Sequence, residues 1–182
     1  MRRALFLDRD GVINADHGYV HRITDVHFME GIFELCREAV RLGYVLIIVS
    51  NQSGIGRGFY SEQDFQNLTS WMRQRFITED APLLAVYHCP YHPQGNVIYR
   101  KFAHWRKPAP GMILQAASDH GLDLAQSVLV GDGERDIQAA HAAGVGAAIR
   151  FADPAITPSA ADVILSSHAE IAAWLRRHNA KA

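Results

Sequence analysis

The 182-residue chain carries 18 Lys plus Arg against 19 Asp plus Glu, so it has no overall electrostatic footprint for nucleic acid or an anionic membrane, and any anion affinity has to be local. A hydrophobic content of 48% can bury a core without staples, the length fits one domain over residues 1–182, and the two cysteines, Cys36 and Cys89, cannot build a disulfide framework. The apolar run after Met1-Arg2-Arg3 is too short for a signal-peptide core or a membrane span, so a monomeric, cytoplasmic protein without membrane or nucleic-acid partners is expected.

Ala4–Leu7 reads as a buried parallel strand, ended by Asp8-Arg9-Asp10-Gly11-Val12. Two carboxylates one residue apart concentrate negative charge that folding alone does not favour. A divalent cation relieves it, and oxygen ligands suit Mg²⁺, which also takes a substrate phosphate. In that reading Asp8 attacks phosphorus in line, while Asp10 protonates the departing alkoxide and later takes a proton from water. The same pair also suits a solvated turn after a strand. The loop Asn14–Thr24 is long, polar and aromatic, as binding loops are, and offers Asp16, His17, Gly18 and Tyr19 as substrate contacts.

Helical period over Ile32–Leu42 precedes a second strand, Val45–Val49, ended by Ser50-Asn51-Gln52-Ser53-Gly54. The Ser50 hydroxyl and the backbone N–H groups of this turn suit the equatorial oxygens of a phosphoryl group, with Asn51, Gln52 and Ser53 as further substrate contacts. Ser61 and Asp64 predict a capping box opening a helix over Glu62–Phe76. After a third strand, Leu83–Tyr87, comes a second long loop, His88–Arg106, and then Arg106-Lys107-Pro108-Ala109-Pro110. Its two cations stand before a helix that opens near Pro110 and runs over Met112–His120, where Lys107 can offset charge on the phosphoryl group and on Asp8.

Ser127–Val130 is a fourth strand, ended by Gly131-Asp132-Gly133-Glu134-Arg135-Asp136. Asp132, nearest the strand, is the candidate metal ligand; Asp136 can orient Lys107 or a metal-bound water, or cap the helix Asp136–Ala143. Gly146–Ile149 is the fifth strand, and the loop Asp153–Ala161 leads to a last strand, Val163–Leu165, and a helix over Glu170–Arg177. Strands alternating with helices predict an α/β fold, a Rossmann-like parallel sheet with helices on both faces and ligands beyond the carboxyl ends of the strands.

Asp-x-Asp-Gly-Val at Asp8, the strand ending at Ser50, Lys107-Pro108 and Gly-Asp-x-x-x-Asp at Gly131, in this order, resemble the four motifs of the haloacid-dehalogenase superfamily. The resemblance implies a phosphatase working through a phosphorylated Asp8, with Mg²⁺ at Asp8, Asp132 and the Asp10 carbonyl oxygen, and with Ser50 and Lys107 stabilising the phosphoryl group. The intervals between the motifs are too short for a large cap domain. Residues 8–14, 16–21, 50–58 and 106–108 are similar to the branch that dephosphorylates heptose 1,7-bisphosphates. That similarity implies loss of the 7-phosphate on the route to ADP-heptose and the lipopolysaccharide inner core. Arg106, with its guanidinium fork, is the residue expected to bind the phosphate that is not transferred. The other readings are a histidinol-phosphate phosphatase or other small-molecule phosphatase, a phosphotransferase, and a non-catalytic phosphate-binding module.

Members of that branch often hold a structural Zn²⁺ before Arg-Lys-Pro through a Cys-x-His and a Cys-x-Cys pair. The matching positions here are Cys89, Tyr91, Ala103 and Trp105, one ligand of four, so that Zn²⁺ site is not expected. Packing of Tyr91, Tyr99, Phe102 and Trp105 is expected to order the loop instead; a substitute set of His88, Cys89, His92 and His104 is the other reading. Cys36 is expected in the core.

Overall fold

The computed structural model describes residues 1–100, 103–155 and 158–180. Six strands, β1 (Arg3–Leu7), β2 (Tyr44–Asn51), β3 (Leu83–Cys89), β4 (Val128–Gly131), β5 (Ala147–Phe151) and β6 (Val163–Leu165), form one parallel sheet in the order β3-β2-β1-β4-β5-β6. The chain winds outward from β1 in both directions, as predicted for a Rossmann-like fold, so the crevice between the ends of β1 and β4 is the topological switch point.

Why β1 reads as an unbroken apolar run is plain from its two faces. Leu5 and Leu7 join one buried cluster and Ala4 and Phe6 the other, because both sides of the sheet are covered and the side chains alternate. β2 repeats the pattern, with Leu46 and Ile48 on the first side and Ile47 and Val49 on the second. α1 (Ile32–Arg41), α3 (Glu62–Thr78) and α6 (His168–Asn179) cover the first face through residues such as Leu35, Phe76 and Leu175; Cys36 lies in this core. α4 (Gly111–His120) and α5 (Glu134–Ala143) cover the other through Ile113 and Ile137.

The helix starts have the predicted chemistry where it bears on position: Ser61 and Asp64 form a reciprocal capping box, and Pro110 is the residue at the opening of α4. α5 begins at Glu134 and α6 at His168, each two residues before the apolar period, since the capping turns are polar. β2 and β3 are longer than the apolar runs. Ser50 and Asn51 pair with His88 and Cys89, so they belong to the strand and not to the turn, and the short helix α2 (Ser53–Gly56) follows.

In place of a cap domain, the described residues of the two long loops carry only 3₁₀ turns at Ile23–Asp25, Val97–Tyr99 and Ala103–Trp105. No described helix is long and apolar enough to cross a membrane.

Candidate active site

The end of β1 is still held by the sheet, since the Asp8 N–H donates to the Val130 carbonyl at 3.0 Å. Its carboxylate, 4% exposed, accepts from the Arg9 N–H at 2.8 Å and lies 3.0 Å from the Lys107 ammonium. Lys107, 2% exposed, also stands 2.6 Å from Asp136 and donates to the Val49 carbonyl at 2.8 Å, so three acceptors meet its three protons. Burial pushes Asp8 up to about 7; Lys107 opposes this, while Asp136, Asp10 and Asp132 reinforce it. Burial works against the charge on Lys107, but Asp8 and Asp136 outweigh it and hold the ammonium above its ordinary value. One cation thus faces more carboxylate charge than it can neutralise.

Asp132 supplies the rest of that charge. Burial, and after it Asp136, raises its carboxyl above the ordinary range, and its buried Oδ1 has no hydrogen-bond partner. Gly11, at φ +87°, lets this carboxylate rest against the turn after Asp10, since a Cβ there would lie 2.2 Å from Asp132 Oδ2. Gly131 likewise leaves room for the side chain of Asp136. Asp8, Asp132 and Asp136 place ligand atoms within 4.8 Å of one another. Asp136 is already engaged by Lys107 and, at 3.1 Å, by the Gly133 N–H, so it orients the lysine and caps α5 together. Asp8 and Asp132, whose Oδ1 accepts no hydrogen bond, supply the oxygens that fit a hard cation such as Mg²⁺.

The Asp10 carboxylate is held apart from that cluster. Arg9 reaches it at 2.9 and 3.1 Å, Asn14 at 3.1 Å and Gln52 at 3.0 Å. Gln52 is fixed in turn, donating to Ser50 Oγ at 2.7 Å and accepting from the Tyr60 hydroxyl at 2.6 Å. Arg9 also donates to the Val20 carbonyl at 2.7 Å, which ties the loop 14–24 to the Asp-x-Asp turn.

A cavity of about 300 Å³ opens above these groups. Of the residues singled out from the sequence, Asp8, Asp10, Asp16, Gly18, Tyr19, Asn51, Gln52, Ser53 and Arg106 line it. Tyr60 and Arg135 also line it and had no motif to mark them. Arg9 and Asn14 were missed as well; the only signal was their closeness to the acids they hold.

Three expectations change in position. His17 is turned away: Asp16 Oδ1 caps the Gly18 N–H, and Gly18 and Tyr19 at positive φ swing the chain. Its ring instead meets His27 edge-on at 5.4 Å, in a separate depression beside Thr24 and Asp25. Ser50 is buried with its hydroxyl taken up by Gln52, and Asn51 spends its amide on the Lys107 backbone, at 3.0 and 3.1 Å. Both therefore stand first as supports for groups that face the cavity.

Arg106 is half-buried, which lowers its pKa, and it makes one long contact, 3.4 Å, to the Tyr91 carbonyl. The loop that carries it is pinned by the Trp105 indole N–H, which donates to the His88 carbonyl at 2.9 Å, and by Tyr91 and Tyr99, whose rings are 6.2 Å apart. His88 pairs with Glu62 at 3.0 Å and stacks on Phe65, and burial pushes the Cys89 thiol up to about 11. Phe102, the remaining aromatic residue expected in this packing, lies outside the described residues.

A HAD-hydrolase-like family model matches residues 104–149. The chain is 55% identical over 152 residues to the D-glycero-alpha-D-manno-heptose-1,7-bisphosphate 7-phosphatase of Burkholderia mallei, covering 83% of this chain and 80% of that relative. It is 44% identical over 185 residues to the D-glycero-beta-D-manno-heptose-1,7-bisphosphate 7-phosphatase of Escherichia coli K12, covering 98% and 96%. Among solved structures, the D,D-heptose 1,7-bisphosphate phosphatase from B. bronchiseptica complexed with magnesium and phosphate matches with a TM-score of 0.82 at 25% identity, over 97% of this chain and 99% of that one.

Proposed function

This chain belongs to the haloacid-dehalogenase-like hydrolases, in the family of the D-glycero-D-manno-heptose-1,7-bisphosphate 7-phosphatases, and we propose on that premise that it removes the 7-phosphate of this sugar through a phosphorylated Asp8. The observation that carries the mechanism is the Lys107 ammonium bridging Asp136 and Asp8, the latter on the wall of a sugar-sized cavity, with the Asp132 carboxylate close by and its Oδ1 accepting no hydrogen bond. Asp8, Asp132 and the Asp10 carbonyl oxygen would hold Mg²⁺, whose positive charge would offset both the carboxylates and the phosphoryl oxygens.

The Arg9 N–H and Lys107 fix one oxygen of Asp8 and leave the other to attack phosphorus. As that bond forms, the bond from phosphorus to the sugar's O7 breaks, and Asp10 delivers its proton to the departing alkoxide. Asp10, again a carboxylate, takes a proton from water, which attacks phosphorus, breaks the acyl phosphate and releases inorganic phosphate with Asp8 restored. Ser53 and backbone N–H groups of the turn hold the phosphoryl oxygens, while Ser50 supports them from below through Gln52; Asp16, Gly18 and Tyr19 meet the sugar, and Arg106 the 1-phosphate. The product, a heptose 1-phosphate, belongs on the route to ADP-heptose and the lipopolysaccharide inner core.

A substrate panel tests this reading. Both anomers of heptose 1,7-bisphosphate, histidinol phosphate and fructose 1,6-bisphosphate are compared with Mg²⁺ and with a chelator, and the released position is read by phosphorus NMR. Much higher kcat/KM for a heptose bisphosphate, loss of activity on chelation and an inert Asp8→Asn variant are expected. A preference for histidinol phosphate, or phosphate release by Asp8→Asn at the wild-type rate, would sink it.

A further inference from the structure

Two guanidinium groups reach the cavity, one from each side of β1: Arg106 lies before α4 on the β3 side, and Arg135 stands in the first turn of α5 after β4. A cation in the first turn of a helix opposes the helix dipole, and both neighbours of Arg135, Glu134 and Asp136, have the sign that the dipole favours. Folding alone gives no reason for an arginine there.

The other arginines around the site are committed. Arg9 holds Asp10 and the Val20 carbonyl, Arg57 the Tyr19 hydroxyl, Arg100 the Gly95 carbonyl and Arg150 the Glu134 carboxylate. Arg135 donates no hydrogen bond among the described residues; its nearest carboxylate oxygen, Asp132 Oδ1, is 3.9 Å away, beyond hydrogen-bond reach. Asp132 is also the acid whose charge a divalent cation would take. Arg106, for its part, donates among the described residues only over the 3.4 Å contact to the Tyr91 carbonyl. The two cations feel each other as well: burial first, and Arg135 in addition, lower the Arg106 pKa. Like charges that line one cavity from opposite sides and lack strong partners are arranged for an anion between them.

We infer that Arg135 is a specificity-determining residue, closing with Arg106 on the substrate phosphate that is not transferred and so setting the preference for a bisphosphate over a monophosphate. The inference rests on the bisphosphate reading above and adds to it a residue from the opposite wall. Two forks from two elements suit a dianionic phosphate better than one, because its three terminal oxygens offer more acceptor positions than a single guanidinium can fill. Asp16, also on the cavity wall and among the charges that Arg135 feels, can then receive a sugar hydroxyl while keeping the arginine from collapsing onto Asp132.

The test compares heptose 1,7-bisphosphate with heptose 7-phosphate for wild type, Arg135→Gln, Arg135→Lys and Arg106→Gln. For Arg135→Gln, kcat/KM for the bisphosphate is expected to fall roughly 10- to 100-fold more than that for the monophosphate, as loss of a charge-assisted contact implies, with the loss mainly in KM. Arg135→Lys, which keeps the charge but not the fork, recovers part of the ratio, and Arg106→Gln shows the same direction. Because Arg135 is half exposed, melting temperatures of the variants should stay near wild type. A wild-type enzyme that does not prefer the bisphosphate overturns the substrate reading and this inference with it. A wild-type preference that Arg135→Gln retains in full overturns the role of Arg135 alone.

Discussion

The side-chain amide of Asn51 brackets the Lys107 peptide: Nδ2 donates to its carbonyl at 3.0 Å while Oδ1 accepts from its N–H at 3.1 Å. A residue at the end of β2 thereby sets the position of the ammonium that faces Asp8. Removing both bonds in Asn51→Ala should cost about 2 kcal/mol, at about 1 kcal/mol each, and lower the melting temperature by roughly 4–8 °C. With Lys107 displaced, kcat should fall about 10- to 100-fold, the scale of small misplacements at an active site. Calorimetry and steady-state kinetics check both, and wild-type kcat in this variant would remove Asn51 from the mechanism.

The buried charges should respond in opposite senses. Lys107→Met leaves Asp8 and Asp136 without their cation and should destabilise the protein by about 3–5 kcal/mol. Asp132→Asn removes one of several mutually repelling carboxylates, so without Mg²⁺ its melting temperature should equal or exceed wild type. The rise in melting temperature that Mg²⁺ gives the wild type should then be lost in Asp132→Asn. Thermal melts with and without the ion decide it; an Mg²⁺ response of wild-type size would show that Asp132 is not a ligand.

Acidity provides a separate reading of the same site. Asp8 moves from 3.8 to about 7 in the fold, so the folded protein holds this proton more tightly than the unfolded chain. The cost of ionising it is therefore full above pH 7 and fades as pH falls from about 7 towards 3.8. In the absence of divalent cations, Asp8→Asn should be more stable than wild type at pH 8, with the difference shrinking towards pH 5. Denaturant unfolding at several pH values measures this, and a difference that grows on acidification would contradict the sign.

Gly11 should act on the metal through Asp132. A Cβ at this residue would overlap the Asp132 carboxylate at 2.2 Å, so Gly11→Ala should raise the Mg²⁺ concentration for half-maximal activity about 10- to 100-fold, the scale of losing ligand support. Gly121→Ala is the control: φ there is +62°, but a Cβ would meet nothing within 4 Å. It should pay the backbone strain and leave the Mg²⁺ requirement alone. Equal shifts in both variants would assign the effect to strain.

Much of this protein was legible along the chain because the informative groups sit where strands end. Apolar runs such as Ala4–Leu7 give a doubly covered parallel sheet, and the polar residues after them, from Asp8 to Asp132, fall at its carboxyl edge by topology alone. Local sequence therefore determined the fold class and the inventory of acids and cations. It could not determine which way each side chain turns. His17 departs from the cavity because two residues of positive φ follow it, while Arg9 and Tyr60 enter the site's network through Asp10 and Gln52. Only the tertiary structure decided that one buried ammonium serves both Asp8 and Asp136, and that Arg106 and Arg135 line the same cavity. The physical reason is distance: electrostatics and hydrogen bonding act over a few ångströms of space, and residues 29 or more positions apart along the chain come that close only when the sheet and its helices are packed.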